Sequence, residues 1–140
     1  MKYPNILSTT IPKQDIKEIL DAISFINEKL PDLVTLNKEE RNALPKTGES
    51  TIEFVLENLE RAESKPGLVP DEVNLDEIRK DVELIRSIYK ILSPLKSLEK
   101  KLEDSALLAG SEAYLPSISI YNAMKADAIL QRHKGAKVKP

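Results

Sequence analysis

The sequence predicts an all-α protein, an antiparallel four-helix or five-helix bundle with a long structured connection between its first two helices. Three observations lead to this fold class. Apolar residues recur at spacings of three and four along most of the 140 residues. Asn or Ser stands three residues before Glu at the start of three apolar segments, which is the spacing of a capping box. Glycine and proline fall mostly between these segments, where turns are expected.

The first helix is predicted over about residues 12–30. Pro12 suits a first helical turn, and Pro31 ends the helix because a residue before proline avoids helical geometry. A stripe on one face of this helix is formed by Ile16, Ile19, Leu20, Ile23, Ile26 and Leu30.

Residues 31–49 form the long connection. Asn37 and Glu40 predict a short capped helical turn within it. The segment is too apolar for a free linker, so it is expected to pack over one end of the bundle and to offer an interaction surface. The residues predicted for this surface, including two at a later helix junction, are Leu33, Val34, Leu36, Leu107 and Leu108.

Residues 44–48 read LPKTG, the recognition motif of sortases. In a sorting signal this motif precedes an apolar span, but here ESTIEFVLENLERAESK follows, in which charged residues are interspersed throughout and which cannot lie in lipid. The segment is therefore predicted to be a turn between helices, in which Pro45 ends a short helix and Gly48 allows the chain to reverse.

Three further helices are expected after the connection. The second long helix starts at Ser50, with Glu53 completing a capping box, and ends near Ser64. After a stiff turn in KPGLVPDEV, Asn74 and Glu77 cap a third helix. Its apolar stripe shifts in phase at Ser93 and Pro94, which predicts a kink or a break with a restart capped by Ser93.

The last helix is expected to have Pro116 in or near its first turn and to run to about Gln131. Residues 1–131 then form a single helical domain, and residues 132–140 form a mobile basic tail with four cations and no acid.

Composition excludes several kinds of chemistry. The chain has no Cys and one His, His133, so disulfides, thiolate zinc sites and a bundle-type di-iron centre are not expected. No glycine-rich phosphate loop is present. We therefore predict no catalytic residue, no metal site and no cofactor, and enzymatic activity is not expected.

Charge and hydropathy also limit the partners. A net charge of -2 and an aromatic content of 4% argue against nucleic-acid binding. No segment approaches the ~18 apolar residues of a membrane span. The start lacks the apolar core of a secretory signal, so a cytoplasmic location is expected.

The stretches RNALPKTG and AGSEAY, set in a short helical chain, resemble a group of small uncharacterised bacterial helical proteins. The resemblance implies a bacterial origin and a compact helical fold. It brings no activity, substrate or catalytic residue with it.

Two classes of function follow from these observations. The first is a non-enzymatic bundle that binds a protein partner or itself through apolar residues that the bundle leaves uncovered. The alternative is a small-ligand pocket between helices, lined by Glu112, Tyr114, Tyr121 and Tyr89. Ser111 beside Glu112 is also what a helix N-cap looks like, so these residues have a purely structural interpretation as well.

Overall fold

The computed structural model describes residues 3–138, with side chains to residue 135, and this part of the chain is all-α, without β-strands. The helices are α1 (Lys13–Lys29), α2 (Lys38–Ala43), α3 (Glu49–Ser64) and α4 (Leu75–Val138), with a 3-10 turn at Pro66–Leu68. The chain divides into two compact units, residues 12–93 and residues 3–11 with 94–138. Each unit is described separately.

Helix α1 matches the predicted helix to within one residue at each end. It begins after Pro12, whose fixed backbone angle suits the position, and ends at Lys29, before Leu30 and Pro31. Its first turn carries Asp15 and its last turn Lys29, the charge placement that the helix dipole favours.

The short helix α2 confirms the predicted capping box. The Asn37 side-chain oxygen accepts a hydrogen bond from the Glu40 N–H at 2.8 Å, and a Glu40 carboxylate oxygen accepts one from the Asn37 N–H at 3.4 Å. LPKTG follows α2 directly as irregular backbone, and α3 begins at Glu49. The predicted helix-linking segment is thus confirmed.

The start of α3 differs from the predicted one. Gly48, not Ser50, is the N-cap, and its N–H donates to the Thr51 hydroxyl at 3.3 Å instead of a Ser50–Glu53 capping box forming. Gly48 has φ -141°, which is extended backbone open to any residue. The left-handed freedom of glycine, on which the predicted role of Gly48 depended, is therefore not used here.

Helix α3 and the start of α4 form an antiparallel pair within the unit of residues 12–93. The Arg79 guanidinium, near the start of α4, contacts the Glu63 carboxylate, near the end of α3, at 2.8 Å. Thr51 and Ile52 of early α3 line one shallow groove together with Tyr89 of α4. The two buried residues in the described part of the chain, Leu59 at 8% exposure and Val82 at 7%, lie in this pair.

Helix α4 begins as predicted and then runs further. Asn74 caps it, accepting hydrogen bonds from the N–H groups of Asp76 at 3.0 Å and Glu77 at 3.3 Å. Of the two alternatives predicted at Ser93 and Pro94, the break with a restart is wrong, because α4 is continuous from Leu75 to Val138 with Pro94 and Pro116 inside it. The kink remains a prediction. A proline removes one hydrogen bond and crowds one carbonyl, which a long helix can tolerate when its remaining hydrogen bonds are kept.

The prediction of a separate last helix that starts near Pro116 is also wrong, because α4 continues through Pro116. Residues 132–138, predicted to lie outside the fold, are the last residues of α4, while residues 139–140 lie outside the described part of the chain. The all-α class is confirmed for residues 3–138; a single domain over residues 1–131, a mobile tail and a full four-helix bundle remain predictions.

Candidate functional site

Helix α1 presents an uncovered apolar face. Every residue of α1 is exposed, including all five aliphatic residues of its stripe. Ile23, at the centre of the stripe, is 51% exposed, close to the 57% of Phe25 on the opposite side of the helix. The helix is amphipathic in sequence, and its apolar side has no partner in the unit to which it belongs. The stripe residues are Ile16, Ile19, Leu20, Ile23 and Ile26.

Helix α3 shows the opposite behaviour. Its apolar face lies against the first turns of α4, where Leu59 and Val82 are buried and the residues around them are half-buried. The half-buried residues of the pair include Ile52, Val55 and Leu56 of α3 and Ile78 and Ile85 of α4.

An apolar groove of about 730 Å³ opens where α3 turns into α4. Phe54 lines the groove from α3. Leu68, Val69 and Val73 line it from the KPGLVPDEV segment. Leu68 is 77% exposed, so a large apolar side chain stands at the rim of the groove with nothing over it. The groove was not predicted from the sequence, although four apolar residues stand close together there at Leu68, Val69, Val73 and Leu75.

The charged residues that line this groove are both cations, Arg61 and Lys65. Neither forms an ion pair in the described part of the chain, where the four ion pairs involve Arg79 (twice), Lys80 and Lys100. The groove is therefore lined by apolar side chains together with two cations.

Most residues of the predicted interaction surface are exposed. Leu33, Val34, Leu36 and Leu107 are exposed, and Leu108 is half-buried. The first three lie in the connection before α2, in the unit of residues 12–93, and the other two lie in α4, in the second unit. Their exposure is compatible with a binding role, and their role remains a prediction.

Glu112 holds the N-terminal segment, residues 3–11, against α4 within the second unit. Its two carboxylate oxygens accept hydrogen bonds from consecutive backbone N–H groups, that of Ile6 at 2.6 Å and that of Leu7 at 3.1 Å. The Asn5 amide nitrogen, in the orientation that satisfies its neighbours, donates to Glu112 Oε2 at 3.2 Å. The Tyr3 hydroxyl also forms a hydrogen bond with the Ser119 hydroxyl, which is a second contact between this segment and α4. We call this set of contacts the Glu112 clamp.

The clamp fits the geometry of Glu112 and of the proline that follows it. A carboxylate offers two acceptor oxygens, and a segment without regular secondary structure leaves its backbone N–H groups free to donate. Pro116 has no N–H, so the Glu112 carbonyl lacks its usual helical donor. The Glu112 side chain thus binds backbone N–H groups of a distant segment, and its own carbonyl lacks the usual helical hydrogen bond.

The predicted ligand-binding residues do not all come together around Glu112. Tyr114 and Tyr121 belong to the same unit as Glu112 and are exposed, and no hydrogen bond joins either hydroxyl to the Glu112 carboxylate. Tyr89 belongs to the other unit, where it lines a shallow groove of about 210 Å³ beside Thr51 and Val82. Ser111, suggested as an N-cap, lies inside α4.

Arg79 carries the main electrostatic contact between α3 and α4. Its pKa is raised above the ordinary value by the hydrogen bonds that its guanidinium donates to the Glu63 carboxylate and by the Asp76 carboxylate, so the guanidinium stays protonated at any ordinary pH. Both partners of the Arg79–Glu63 pair are more than a third exposed, so solvent screens the pair and it stabilises the fold only slightly.

Within the described residues, no three His, Asp or Glu side chains converge as a metal site would require. In the same part of the chain, no helix is both long and apolar enough to cross a membrane. The chain matches no model of a known protein family, no curated protein and no solved structure.

Proposed function

We propose that this chain is a non-enzymatic helical protein that works by associating with another protein chain or with itself, and that association completes a helical bundle. The observation that carries the proposal is the uncovered apolar stripe of α1. A stripe of this regularity is the binding face that amphipathic helices use when they associate.

The energetics support this function. Fully burying an aliphatic side chain contributes about 1.5–3 kcal/mol, and the α1 stripe residues are roughly half exposed. Covering all of them would therefore contribute about 5 kcal/mol per helix. Exposed apolar faces of this kind on a protein mark interaction sites more often than they mark free surface.

Leu33, Val34 and Leu36 extend the proposed surface along the connection, and Leu107 and Leu108 offer a second apolar position in the other unit. As part of the same proposal we place the protein in the cytoplasm of a bacterium. The bacterial part of that placement rests on the resemblance carried by the stretches RNALPKTG and AGSEAY.

The experiment that tests association combines two measurements. Sedimentation of the full chain over a wide concentration range reports self-association, and affinity capture from host lysate reports other partners. Both are repeated with Leu36→Asp and Ile19→Asp, whose exposed positions allow folding to be retained. We expect at least one variant to lose association while its helical content by circular dichroism is unchanged.

A chain that stays monomeric throughout, and that retains no protein lost with these variants, would contradict the proposed function. If Leu36→Asp instead abolishes folding, Leu36 belongs to the core. The exposure of its side chain argues against that outcome.

Small-ligand binding is the second candidate function. The groove of about 730 Å³ favours it, because that volume is within the range of ligand pockets. The pocket predicted near Glu112, Tyr114 and Tyr121 also remains a proposal, with the carboxylate already engaged by Ile6 and Leu7. A thermal-shift screen with Glu112→Gln and Phe54→Ala would separate the two sites, since a ligand shift lost with only one variant locates the pocket.

A further inference from the structure

We infer that the groove where α3 turns into α4 binds a small amphipathic anion, a carboxylate with an unbranched apolar chain. The inference rests on the second candidate function, since it names the ligand class of that groove. The carboxylate lies at Arg61 and Lys65, and the apolar chain follows the groove toward Phe54. All the lining side chains belong to residues 54–78, within one compact unit.

The first argument is the choice of charged side chains at the groove. Residues 54–78 hold two cations, Arg61 and Lys65, and both line the groove. The same stretch holds more acids than cations, yet none of these described acids lines it. Cations at a groove from which acids are kept away are complementary to an anionic ligand.

The acids of α3 lie on another side of the helix. The residues that line the groove from α3 and its C-cap recur at spacings of four and three, as Phe54, Asn58, Arg61 and Lys65. Glu57 and Glu60 each stand one position earlier than a member of this row, which turns them by about 100° around the helix. Glu63 is engaged with Arg79.

Glu57 is the acid closest in register to Arg61, four residues before it. In the described part of the chain no ion pair joins the two, and none involves Lys65. Arg61 and Lys65 are therefore available to a carboxylate, which can accept charge-assisted hydrogen bonds from both.

The second argument is the apolar lining that continues beyond the cations. Phe54 precedes Arg61 by seven residues, which is roughly 10 Å along a helix. Phe54 is 64% exposed and Leu68 77%, so large apolar side chains at the groove are open to solvent. An alkyl chain that covers them removes apolar surface from water, which favours binding. The ligand thus carries its charge at one end.

The third argument is size. A volume of about 730 Å³, lined mostly by apolar side chains with a few polar groups, is typical of small-molecule sites. An acidic amphipathic helix of another protein has related chemistry, but stable protein interfaces use about 20–30 residues a side. Fewer described residues than that line this groove, which favours the small molecule.

The test uses decanoate as the probe, titrated into the full chain below its micelle concentration. Calorimetry and thermal unfolding follow binding. Acetate has the same head without the chain, and decyltrimethylammonium has the same chain with a cationic head. We expect decanoate to bind and to raise the melting temperature, while the two controls have little effect. Equal effects of decanoate and decyltrimethylammonium overturn the inference, because apolar burial alone would then explain binding.

Substitution of both cations tests where the carboxylate lies. The full chain with Arg61→Gln and Lys65→Gln should bind decanoate about tenfold more weakly or worse, because charge-assisted hydrogen bonds are lost. Arg86→Gln is the matched control, since Arg86 is an exposed cation of α4 that does not line the groove among the described residues. It should bind as the unchanged chain does. Unchanged affinity in the double variant overturns the inference.

Amide chemical shifts of the labelled full chain locate the apolar chain of the ligand. We expect decanoate to change the shifts of residues 54–78, and Phe54→Ala to weaken binding several-fold. Changes at the α1 stripe instead would place the ligand on that face and overturn the inference.

These outcomes are separate from those of the association experiment. If decanoate does not bind while Ile19→Asp abolishes association, the inference fails and the proposed function stands. If decanoate binds as expected to a chain that stays monomeric without a partner, the proposed function fails and the inference stands. A host protein lost with the Arg61 and Lys65 double variant, together with no decanoate binding, overturns the inference in favour of an acidic protein partner.

Discussion

Helices α1 and α3 carry the same apolar pattern and meet different surroundings. The apolar residues of α1 at 16, 19, 20, 23 and 26 recur in α3, 36 positions later, at 52, 55, 56, 59 and 62. In α3 the central position, Leu59, is buried against α4, while in α1 the central position, Ile23, is half exposed. The pattern therefore determines that a helix has an apolar face, and the neighbouring elements determine whether that face is covered.

The difference arises from the connections that follow the two helices. The KPGLVPDEV segment after α3 is a tight turn, held by hydrogen bonds from the Leu68 N–H to the Lys65 carbonyl at 3.0 Å and from the Val73 N–H to the Pro70 carbonyl at 3.0 Å. It returns the chain as α4 beside α3. The connection after α1 contains α2 and is longer, and it brings no helix onto the α1 stripe.

The largest expected effect compares the two central positions directly. Leu59→Ala should lower the free energy of unfolding by about 2–4 kcal/mol, because it leaves a cavity between α3 and α4. Ile23→Ala should change it by less than about 0.5 kcal/mol, because little burial is lost and alanine is a better helix former. Urea denaturation of dilute protein, followed by circular dichroism, measures both.

The protein must be dilute in that experiment, because association would cover the α1 stripe. The effect of Ile23→Ala is to be measured in the single chain. Equal losses for Leu59→Ala and Ile23→Ala at the lowest measurable concentration would contradict the comparison. Such a result would mean that α1 is packed as firmly as α3 within one chain.

A smaller effect is expected in the segment that precedes α1. Glu112→Ala removes the acceptor of two backbone N–H groups, and a hydrogen bond to a charged group contributes about 1.5–3 kcal/mol. Because Glu112 is partly exposed, we expect the lower end of that range. Amide hydrogen exchange at Ile6 and Leu7 should become about tenfold faster.

Glu103→Ala is the matched control for the Glu112 clamp, since Glu103 lies on the same helix and is exposed. Among residues 3–135 it accepts no hydrogen bond from another side chain or from the N-terminal segment. It should leave the exchange of both amides unchanged. Unchanged exchange in Glu112→Ala as well would show that the clamp does not hold residues 3–11.

The smallest effect distinguishes the two capping asparagines. Asn74→Ala should cost about 1 kcal/mol, because Asn74 caps the helix that covers α3. Asn37→Ala should leave the unfolding of the α3–α4 pair unchanged. Asn37 caps α2, and all six residues of α2 are exposed, so α2 does not pack on that pair. Urea denaturation gives both values, and an equal cost for Asn37→Ala would show that the connection unfolds together with α3 and α4.

The helices could be predicted from sequence where local chemistry decides them. Pro12 with the α1 stripe, the Asn37–Glu40 box and the Asn74 cap all act through neighbouring residues, and each is found as expected. The helix ends predicted at Pro94 and Pro116 were wrong. The penalty of an internal proline is local, whereas the continuity of α4 depends on all of its other hydrogen bonds.

The candidate sites could be predicted only in part for a related reason. Leu33, Val34 and Leu36 are exposed as an interaction surface requires, since their excess apolar character is visible in the sequence. The contact between Glu112 and the backbone of Ile6 and Leu7 joins residues more than a hundred positions apart, and no local pattern announces it. The groove at Leu68 likewise depends on how closely α3 and α4 approach at their shared turn.

The small number of buried side chains has a calorimetric consequence. A folded domain usually absorbs heat on unfolding with a heat-capacity increase of about 12–15 cal/mol/K per residue, most of it from newly exposed apolar surface. In the described part of this chain, only Leu59 and Val82 are buried, so an isolated chain has little apolar surface left to expose. Its stability should therefore vary only gently with temperature, and the steep curvature typical of proteins of this length should appear only once the α1 stripe is covered.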